Sequence, residues 1–172
     1  MANQKEIHEY LQTVSRPVAA MAKKYPAGYA GYVHKHARAQ FLYAESGCMR
    51  LTMDLGCWII PPKRAVWIPA EYPHQTGSIG ELEMRTLYID SGHASTGPDQ
   101  PRMLQVSSLL HELVLRVTAM PTEYDEDGQE GQVVHTLLGE IDWTPIHPLS
   151  LPPIGDKRLR SVESLYCKAL AR

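Results

Sequence analysis

Two histidines in the first quarter of the chain are spaced so that they can act together. His34 and His36 lie two residues apart in a segment that is predicted to be extended, and strand side chains two apart point to the same face. Gln40 keeps the same parity, and a third imidazole, His74, ends a proline-anchored turn over residues 69–74. Three imidazoles and one amide that converge inside a small barrel would form either a divalent-metal site or a polar pocket floor.

The chemistry of these side chains favours a transition metal. Imidazole nitrogen binds zinc, copper, nickel and iron(II), and it is a poor ligand for magnesium or calcium. The sequence therefore predicts a zinc, nickel or iron ion held by His34, His36 and His74, with Gln40 as a weak fourth ligand or a hydrogen-bond donor to bound water. Without metal, the four side chains would form a hydrogen-bonded polar cluster, because an unsatisfied buried polar group costs about 1–3 kcal/mol.

Short strands and turns are expected to position this candidate site. Residues 18–89 read as consecutive strands, with glycine and proline at the turns. The segment 39–53 precedes a turn at 54–56, and its apolar side chains of one parity should share a face: Phe41, Tyr43, Leu51 and Met53. Many short antiparallel strands in a domain of this size predict a mainly β fold, a jelly-roll barrel.

The second half of the chain changes to a helical period. Residues 109–117 and 133–141 each carry an apolar stripe with the spacing of a helix face. The sequence leaves open whether these stripes pack on the barrel, on each other or on a second subunit. We expect a barrel that binds an effector or metal over 1–100 and a helical extension over 101–144, the latter a candidate for dimerisation. Residues 145–172 read as a Pro-rich linker and a basic helical segment.

Length and composition indicate an ordinary globular protein. The chain has 172 residues, of which 44% are hydrophobic and 21% charged, so about one domain is expected. A net charge of −2 gives no general attraction to nucleic acid or to anionic membranes. The N-terminus lacks the apolar stretch of a signal peptide, and no apolar run approaches the roughly 20 residues of a membrane helix. The prediction is a cytoplasmic protein with no membrane partner.

The histidine segment resembles a known motif. Gly28, His34, His36, Gln40 and Gly47 have the spacing of the first motif of the cupin superfamily, which usually carries Glu at the position of Gln40. The turn that ends at His74 resembles the second cupin motif. The longer run formed by residues 40–44, 58–70 and 84–88 resembles the N-terminal sensor domain of an AraC-type bacterial transcription regulator.

The resemblance carries expectations about fold and function. It implies a cupin jelly-roll barrel followed by two or three α-helices, with metal ligands at His34, His36, Gln40 and His74. It also implies a homodimer formed through the helical region, and DNA binding by a C-terminal helix-turn-helix domain that begins after the linker and is absent from this chain. On this interpretation the chain is an effector-sensing regulatory domain and not an enzyme.

Aromatic side chains and one arginine are the candidates for the effector pocket. They are Tyr32, Tyr43, Trp58, Trp67, Tyr88 and Arg38. The rings serve equally well as barrel core, and Arg38 or Arg64 would either hold an anionic effector or face solvent from a strand. The remaining histidines are expected to be ordinary surface or boundary residues: His8, His93, His111, His135 and His147.

Two other functions stay open. A stand-alone metal-dependent cupin enzyme, such as a dioxygenase or isomerase, would use the same three imidazoles, since catalytic zinc also takes three protein ligands and an open position. Against this, the sequence has no nucleophile elbow and no Gly-rich phosphate loop, and no paired carboxylates share the parity of the site. The other possibility is a purely structural dimerisation module that responds to no ligand.

Overall fold

Two antiparallel sheets face each other across a barrel interior in the computed structural model, which describes residues 4–94, 97–147 and 149–151. The chain begins with helix α1 (Gln4–Thr13) and continues through strands β1 (Val18–Tyr25), β2 (Ala39–Ser46), β3 (Met49–Met53), β4 (Gly56–Ile60), β5 (Arg64–Ile68), β6 (Gln75–Ser78) and β7 (Leu82–Ile89). These are followed by α2 (Ser91–Ala94), β8 (Arg102–Gln105), α3 (Ser108–Thr118), α4 (Gln129–Glu140) and β9 (Leu149–Leu151).

The strand order is that of a jelly roll. One sheet has the order β1-β7-β2-β5-β8 and the other the order β6-β3-β4-β9, and every pairing within them is antiparallel. Side chains of both sheets meet in one apolar cluster, in which Leu42 and Val66 of the first sheet lie with Leu51 and Ile60 of the second. The predicted mainly β barrel followed by helices is therefore confirmed.

The chain changes sheets at Gly47. This residue has φ +77°, and a Cβ built on it would lie 2.0 Å from the carbonyl oxygen of Glu81, so the backbones approach too closely for a side chain. The single parity that the sequence suggested for residues 39–53 is consequently wrong. Phe41 packs on the helical side of the five-stranded sheet, whereas Leu51 packs in the barrel interior.

Helices α3 and α4 cover the outer face of the five-stranded sheet. Phe41 and Tyr43 of β2 form one buried cluster with Leu110 and Val114 of α3 and with side chains of α4. The Oγ atom of Ser107 accepts a hydrogen bond from the backbone amide of Leu110, which caps the start of α3. Of the alternatives that the stripes left open, packing on the barrel and packing on each other are both present.

Two strands lie beyond the barrel boundary expected at residue 100. β8 pairs with β5, and β9 pairs with β4, so both belong to the sheets. Segments this short carry too few residues to show a strand period, which is why the boundaries at 100 and 144 do not coincide with the ends of the sheets. The predicted basic helical segment lies outside the described residues. Within them, no helix is long and apolar enough to span a membrane.

Candidate metal site and adjoining cavity

Backbone pairing brings His34 and His74 side by side. The two residues form an isolated antiparallel bridge in which each amide donates to the carbonyl of the other, both at 2.9 Å. Their ring centroids are consequently only 4.5 Å apart. The ring of His36 lies 5.1 Å from that of His74 and 5.9 Å from that of His34, so the structure brings all three imidazoles together.

Hydrogen bonds to the backbone orient the three rings in the same way. In each histidine Nδ1 faces a backbone carbonyl two residues away, at 3.0 Å from His34 to Tyr32, 2.7 Å from His36 to Arg38 and 2.8 Å from His74 to Tyr72. A carbonyl oxygen can only accept, so each Nδ1 carries the proton and each Nε2 keeps its lone pair. One nitrogen of each ring lies within 4.8 Å of the others, a donor set that fits a transition metal.

Burial favours the neutral form of two of these imidazoles, His36 and His74. Desolvation lowers the pKa of His74 to about 3, against a smaller opposing effect of its hydrogen bond to Tyr72. Desolvation also lowers the pKa of His36, against the hydrogen bonds that the protonated ring would make to Arg38 and Gln40. The Nε2 atom of His74 is buried and has no hydrogen-bond partner among the described residues. A neutral imidazole whose nitrogen lone pair makes no hydrogen bond is the form that binds a metal.

Gln40 on β2 adds a fourth oxygen or nitrogen atom to the group. Its side chain is buried, its Nε2 donates to Oγ1 of Thr86 at 2.8 Å, and its Oε1 lies 2.9 Å from Nε2 of His36. Because the proton of His36 is on Nδ1, this contact joins two acceptors. A cation between them would relieve the repulsion, and so would a reversed amide, since the hydroxyl of Thr86 can also donate.

A cavity of about 430 Å³ adjoins this group, within the usual size of a small-molecule site. His34 of the three histidines lines the cavity, and so does Gln40, whose side chain contacts His36. Its other side-chain hydrogen-bonding groups include His8 and Thr76. The remaining side chains that line it are aromatic or apolar: Tyr25, Tyr29, Tyr32, Leu42, Met84 and Tyr88.

Only some of the predicted pocket residues line this cavity. Tyr32 and Tyr88 do. Tyr43 and Trp67 point to the opposite face of their sheet, where Tyr43 contacts Nδ1 of His111 at 2.8 Å and Trp67 donates to the carbonyl of Pro98 at 2.8 Å. The prediction for these two rings fails because strand parity turns them toward the helices.

Trp58 and Arg38 are also absent from the cavity wall. Trp58 packs in the core of the barrel. Arg38 is 8% exposed, and its guanidinium donates to the backbone carbonyls of Gln12, Val14 and Arg16 at the end of α1. The guanidinium of Arg38, which the sequence suggested as a partner of an anionic effector, is therefore engaged by backbone carbonyls instead.

His8 is a cavity residue that the sequence did not reveal. It was expected to be an ordinary surface residue, but α1 places it in the cavity wall, with its ring centroid 6.5 Å from that of His34 and 6.2 Å from that of Tyr88. A lone histidine on a short helix carries no periodic signal that would reveal this position. By contrast, His93, His135 and His147 are exposed, as predicted.

Two facing antiparallel sheets followed by helices, with three histidines brought together, define the fold as a jelly-roll barrel that carries a candidate metal site. No family model matches the sequence. HTH-type transcriptional regulator NimR from Escherichia coli (strain K12) is 27% identical over 136 residues, which are 79% of this chain and 50% of NimR. The chain thus spans half the length of this curated relative. The expected resemblance to a bacterial transcription regulator with a helix-turn-helix domain is confirmed.

Solved structures with the same fold include ToxT from Vibrio cholerae. The apo K231A form of ToxT matches with a TM-score of 0.56 at 9% identity, covering 73% of this chain and 54% of ToxT. A second crystal form matches with a TM-score of 0.50 at 8% identity, covering 90% of this chain and 66% of ToxT. At these identities the likeness concerns the fold.

Proposed function

We propose that this chain is the ligand-sensing domain of an AraC-type transcription regulator. A small molecule occupies the cavity, a divalent transition metal is held beside it, and their binding controls a DNA-binding domain C-terminal to this chain. The observation that carries the proposal is the cavity of about 430 Å³ whose wall includes His34 and Gln40 of the histidine group. The similarity to the regulator NimR supports it.

In this proposal His34, His36 and His74 hold the metal through Nε2, and Gln40 contributes Oε1. The orphaned Nε2 of buried His74 and the facing acceptors of His36 and Gln40 fit such an ion. A bound metal would supply a Lewis-acidic anchor for an oxygen or nitrogen atom of the effector. Zinc, nickel and iron(II) all suit an imidazole-rich set, so the donor atoms leave the choice among them open.

Helix α1 offers a route from the cavity to the helical layer. Its residue His8 lines the cavity, while the hydroxyl of Tyr10 donates to Oε1 of Glu123 at 3.0 Å. Arg16, just beyond the helix, forms ion pairs with Glu123 and Glu126 in the segment before α4. An effector can shift such an arrangement only by the difference in its affinity for the two states.

The proposed protein acts as a homodimer on DNA in the cytoplasm. Dimerisation through the helical region and DNA binding through a domain after residue 172 follow from the regulator resemblance. Light scattering tests the first. Reading the coding sequence past Arg172 tests the second, because an in-frame stop with no helix-turn-helix pattern would count heavily against the regulator.

The metal is tested by elemental analysis of freshly purified chain and of chain reconstituted with zinc, nickel or iron(II). We expect one ion per chain, lost in His36→Ala and His74→Ala and kept in His135→Ala, a control at an exposed position on α4. If reconstitution gives no bound metal in wild type, the metal part is wrong and the polar-cluster interpretation stands. Ligands are found by thermal stabilisation, which at 100 times the Kd amounts to about 2.7 kcal/mol.

A metal-dependent enzyme is the alternative. Three converging imidazoles next to a cavity of substrate size favour it. The two functions separate by turnover: the enzyme predicts substrate consumption that His36→Ala abolishes, whereas the sensor predicts binding of the effector without consumption. The regulator relative favours the sensor.

A further inference from the structure

His8 reaches the cavity from helix α1, outside the barrel strands. Its Nε2 is buried and makes no hydrogen bond within the part of the chain that the structure describes. Leaving such an atom unsatisfied is costly, so a ligand that forms a hydrogen bond there is favoured. The position is held by the docking of α1, since Leu11 and Val14 pack against Tyr88, whose own side chain lines the cavity.

The imidazole and amide groups of the cavity wall gather at one end. Tyr88 and Met84 of β7 both line the cavity and are four residues apart, which is about 13 Å along a strand. Gln40 is paired with Tyr88, and the ring of His8 lies beside Tyr88 as well, whereas the hydroxyls of Thr76 and Tyr29 lie near Gly31. At the Met84 end, on neighbouring β1, the ring of Tyr25 contacts that of Tyr29 at 4.4 Å between centroids.

The wall carries no acidic or basic charge of its own. Among the described residues that line the cavity there is no Asp, Glu, Lys or Arg. The guanidinium of buried Arg38 is engaged by backbone carbonyls of the segment that ends α1. The ammonium of Lys23, which is not a lining residue, lies 5.2 Å from the ring centroid of Tyr25. In the metal-free chain a charged ligand would therefore lose its hydration without a counter-charge from the lining residues themselves, which disfavours it.

We propose that His8 is a ligand-binding residue, and that the cavity takes a small uncharged molecule with a flat apolar body and one hydroxyl or N–H group. The hydrogen-bonding end meets Nε2 of His8 next to His34, and the body lies toward Tyr25, Tyr29 and Met84. A hydroxyl suits either tautomer of His8, because it both donates and accepts. This inference rests on the proposed sensor function, since it names the class of effector.

Three probes that differ only at one end test the ligand class: para-cresol, toluene and para-toluate. Their binding to the whole chain is measured by titration calorimetry, before and after treatment with a chelator. In the chelator-treated chain we expect para-cresol to bind most tightly, toluene more weakly, and the anionic para-toluate most weakly. A para-toluate affinity equal to or above that of para-cresol in that metal-free chain, or no binding of para-cresol, would overturn the proposed ligand class.

Variants of His8 test the residue. His8→Phe keeps a ring but removes the hydrogen bond, so the Kd of para-cresol should rise by about three- to tenfold while that of toluene does not rise. His8→Gln keeps a hydrogen-bonding group and should recover part of the loss. The control is His135→Phe, at an exposed position on α4, which should change neither constant. Equal para-cresol affinity in His8→Phe and wild type would refute the role of His8.

The outcome is separable from that of the proposed function. Metal content in His8→Phe should equal that of wild type, because His8 is not among the three imidazoles that converge. If metal binds and the coding sequence continues into a helix-turn-helix domain, but no probe binds, the ligand class is wrong and the sensor proposal stands. If no metal binds and the coding sequence does not continue into a helix-turn-helix domain, the sensor proposal itself has failed.

Discussion

The backbone carbonyl of Arg38 accepts a hydrogen bond from Nδ1 of His36 at 2.7 Å, so Arg38 orients a candidate metal ligand. The same residue sends its guanidinium to the backbone carbonyls of Gln12, Val14 and Arg16. Gln12 lies in the last turn of α1, where carbonyls lack intrahelical partners, and Val14 and Arg16 follow the helix. Arg38 donates to all three from the barrel side. One buried residue thus joins the end of α1 to the histidine group.

Replacing Arg38 with Met should destabilise the fold. The change removes three hydrogen bonds from a charged donor and leaves their carbonyls without it, for a loss of about 2–3 kcal/mol in the free energy of unfolding. Urea unfolding measures this loss. The matched control is Arg64→Met, because Arg64 is only partly buried and donates to the carbonyl of adjacent Lys63. Equal unfolding midpoints for the two variants would contradict the role given to Arg38.

Gln40→Glu should strengthen metal binding and weaken the metal-free fold. A carboxylate offsets part of the positive charge of the metal ion, whereas an amide does not, so the Kd for zinc should fall. Without metal, the buried carboxylate faces the hydroxyl of Thr86 and the ring of His36, and we expect a loss of about 1–3 kcal/mol. Competition with a chelating dye measures the Kd, with Gln40→Leu as the comparison. Identical zinc affinities in the three proteins would place Gln40 outside the metal site.

Acid should destabilise the chelator-treated chain through His74. Burial lowers the pKa of this imidazole from 6.5 to about 3. Below pH 6.5 the unfolded chain therefore binds a proton at His74 that the folded chain does not bind. The contribution of His74 to stability is present in full above that pH and is lost as the pH falls toward 3, by about 1.4 kcal/mol for each pH unit in that window.

Urea unfolding at a series of pH values tests this linkage. The pH dependence of the free energy of unfolding should be shallower in His74→Gln than in wild type. Burial also lowers the pKa of His36, so part of the dependence should remain. The exposed control His135→Gln should leave the wild-type slope unchanged. Equal slopes in His74→Gln and wild type would show that His74 does not resist protonation.

Gly47→Ala should destabilise the crossing between the two sheets. A methyl group there meets the carbonyl oxygen of Glu81 at 2.0 Å, and the residue has φ +77°. At an unstrained position Gly→Ala stabilises a protein by roughly 1 kcal/mol at most. Here the methyl group forces the two backbones apart, and we expect that cost to exceed the gain. Gly80→Ala is the control, because a Cβ at Gly80 meets nothing within 4 Å and no positive φ applies. Chemical denaturation that ranks the two variants equally would contradict this view of the crossing.

The sequence allowed the barrel and the meeting of the histidines to be predicted for physical reasons. Alternation of side chains marks the strands. His34 and His36, however, lie between β1 and β2 and not in a named strand, and the isolated bridge of His34 with His74 brings the group together. Parity stops being a guide where the chain leaves a sheet, so the break at Gly47 was not predicted. Parity shows which residues of a strand share a face, but it does not show which face lines the barrel interior. The prediction that Trp67 lines the effector pocket therefore failed.

Long-range docking was beyond local patterns. His8 belongs to a helix of ten residues, which is short for a helix to be stable without packing, so its place in the cavity depends on the docking of α1. The guanidinium of Arg38 meets backbone carbonyls that lie 22 to 26 residues away in the chain. Such contacts have no signature in spacing or composition, and only the tertiary structure reveals them.

Leu109 and Leu110 of α3 give the last prediction, since Leu109 is 53% exposed and Leu110 is 1% exposed. Leu110→Ala leaves a void between the helix and the five-stranded sheet and should cost about 2–5 kcal/mol in the free energy of unfolding. Leu109→Ala should cost less than about 0.5 kcal/mol in the monomer, because its side chain is largely in water. Chemical denaturation of both variants at low protein concentration makes the comparison.

The same pair tests whether the helical region forms the proposed homodimer. If α3 lies in the dimer interface, Leu109→Lys buries a charge on association, so light scattering should give a dimer for wild type and a monomer for this variant. Thermal unfolding at high dilution should be alike for the two, which separates loss of association from loss of fold. A dimer that persists in Leu109→Lys would place the interface away from this face of α3, and a wild-type monomer at all concentrations would refute the dimer.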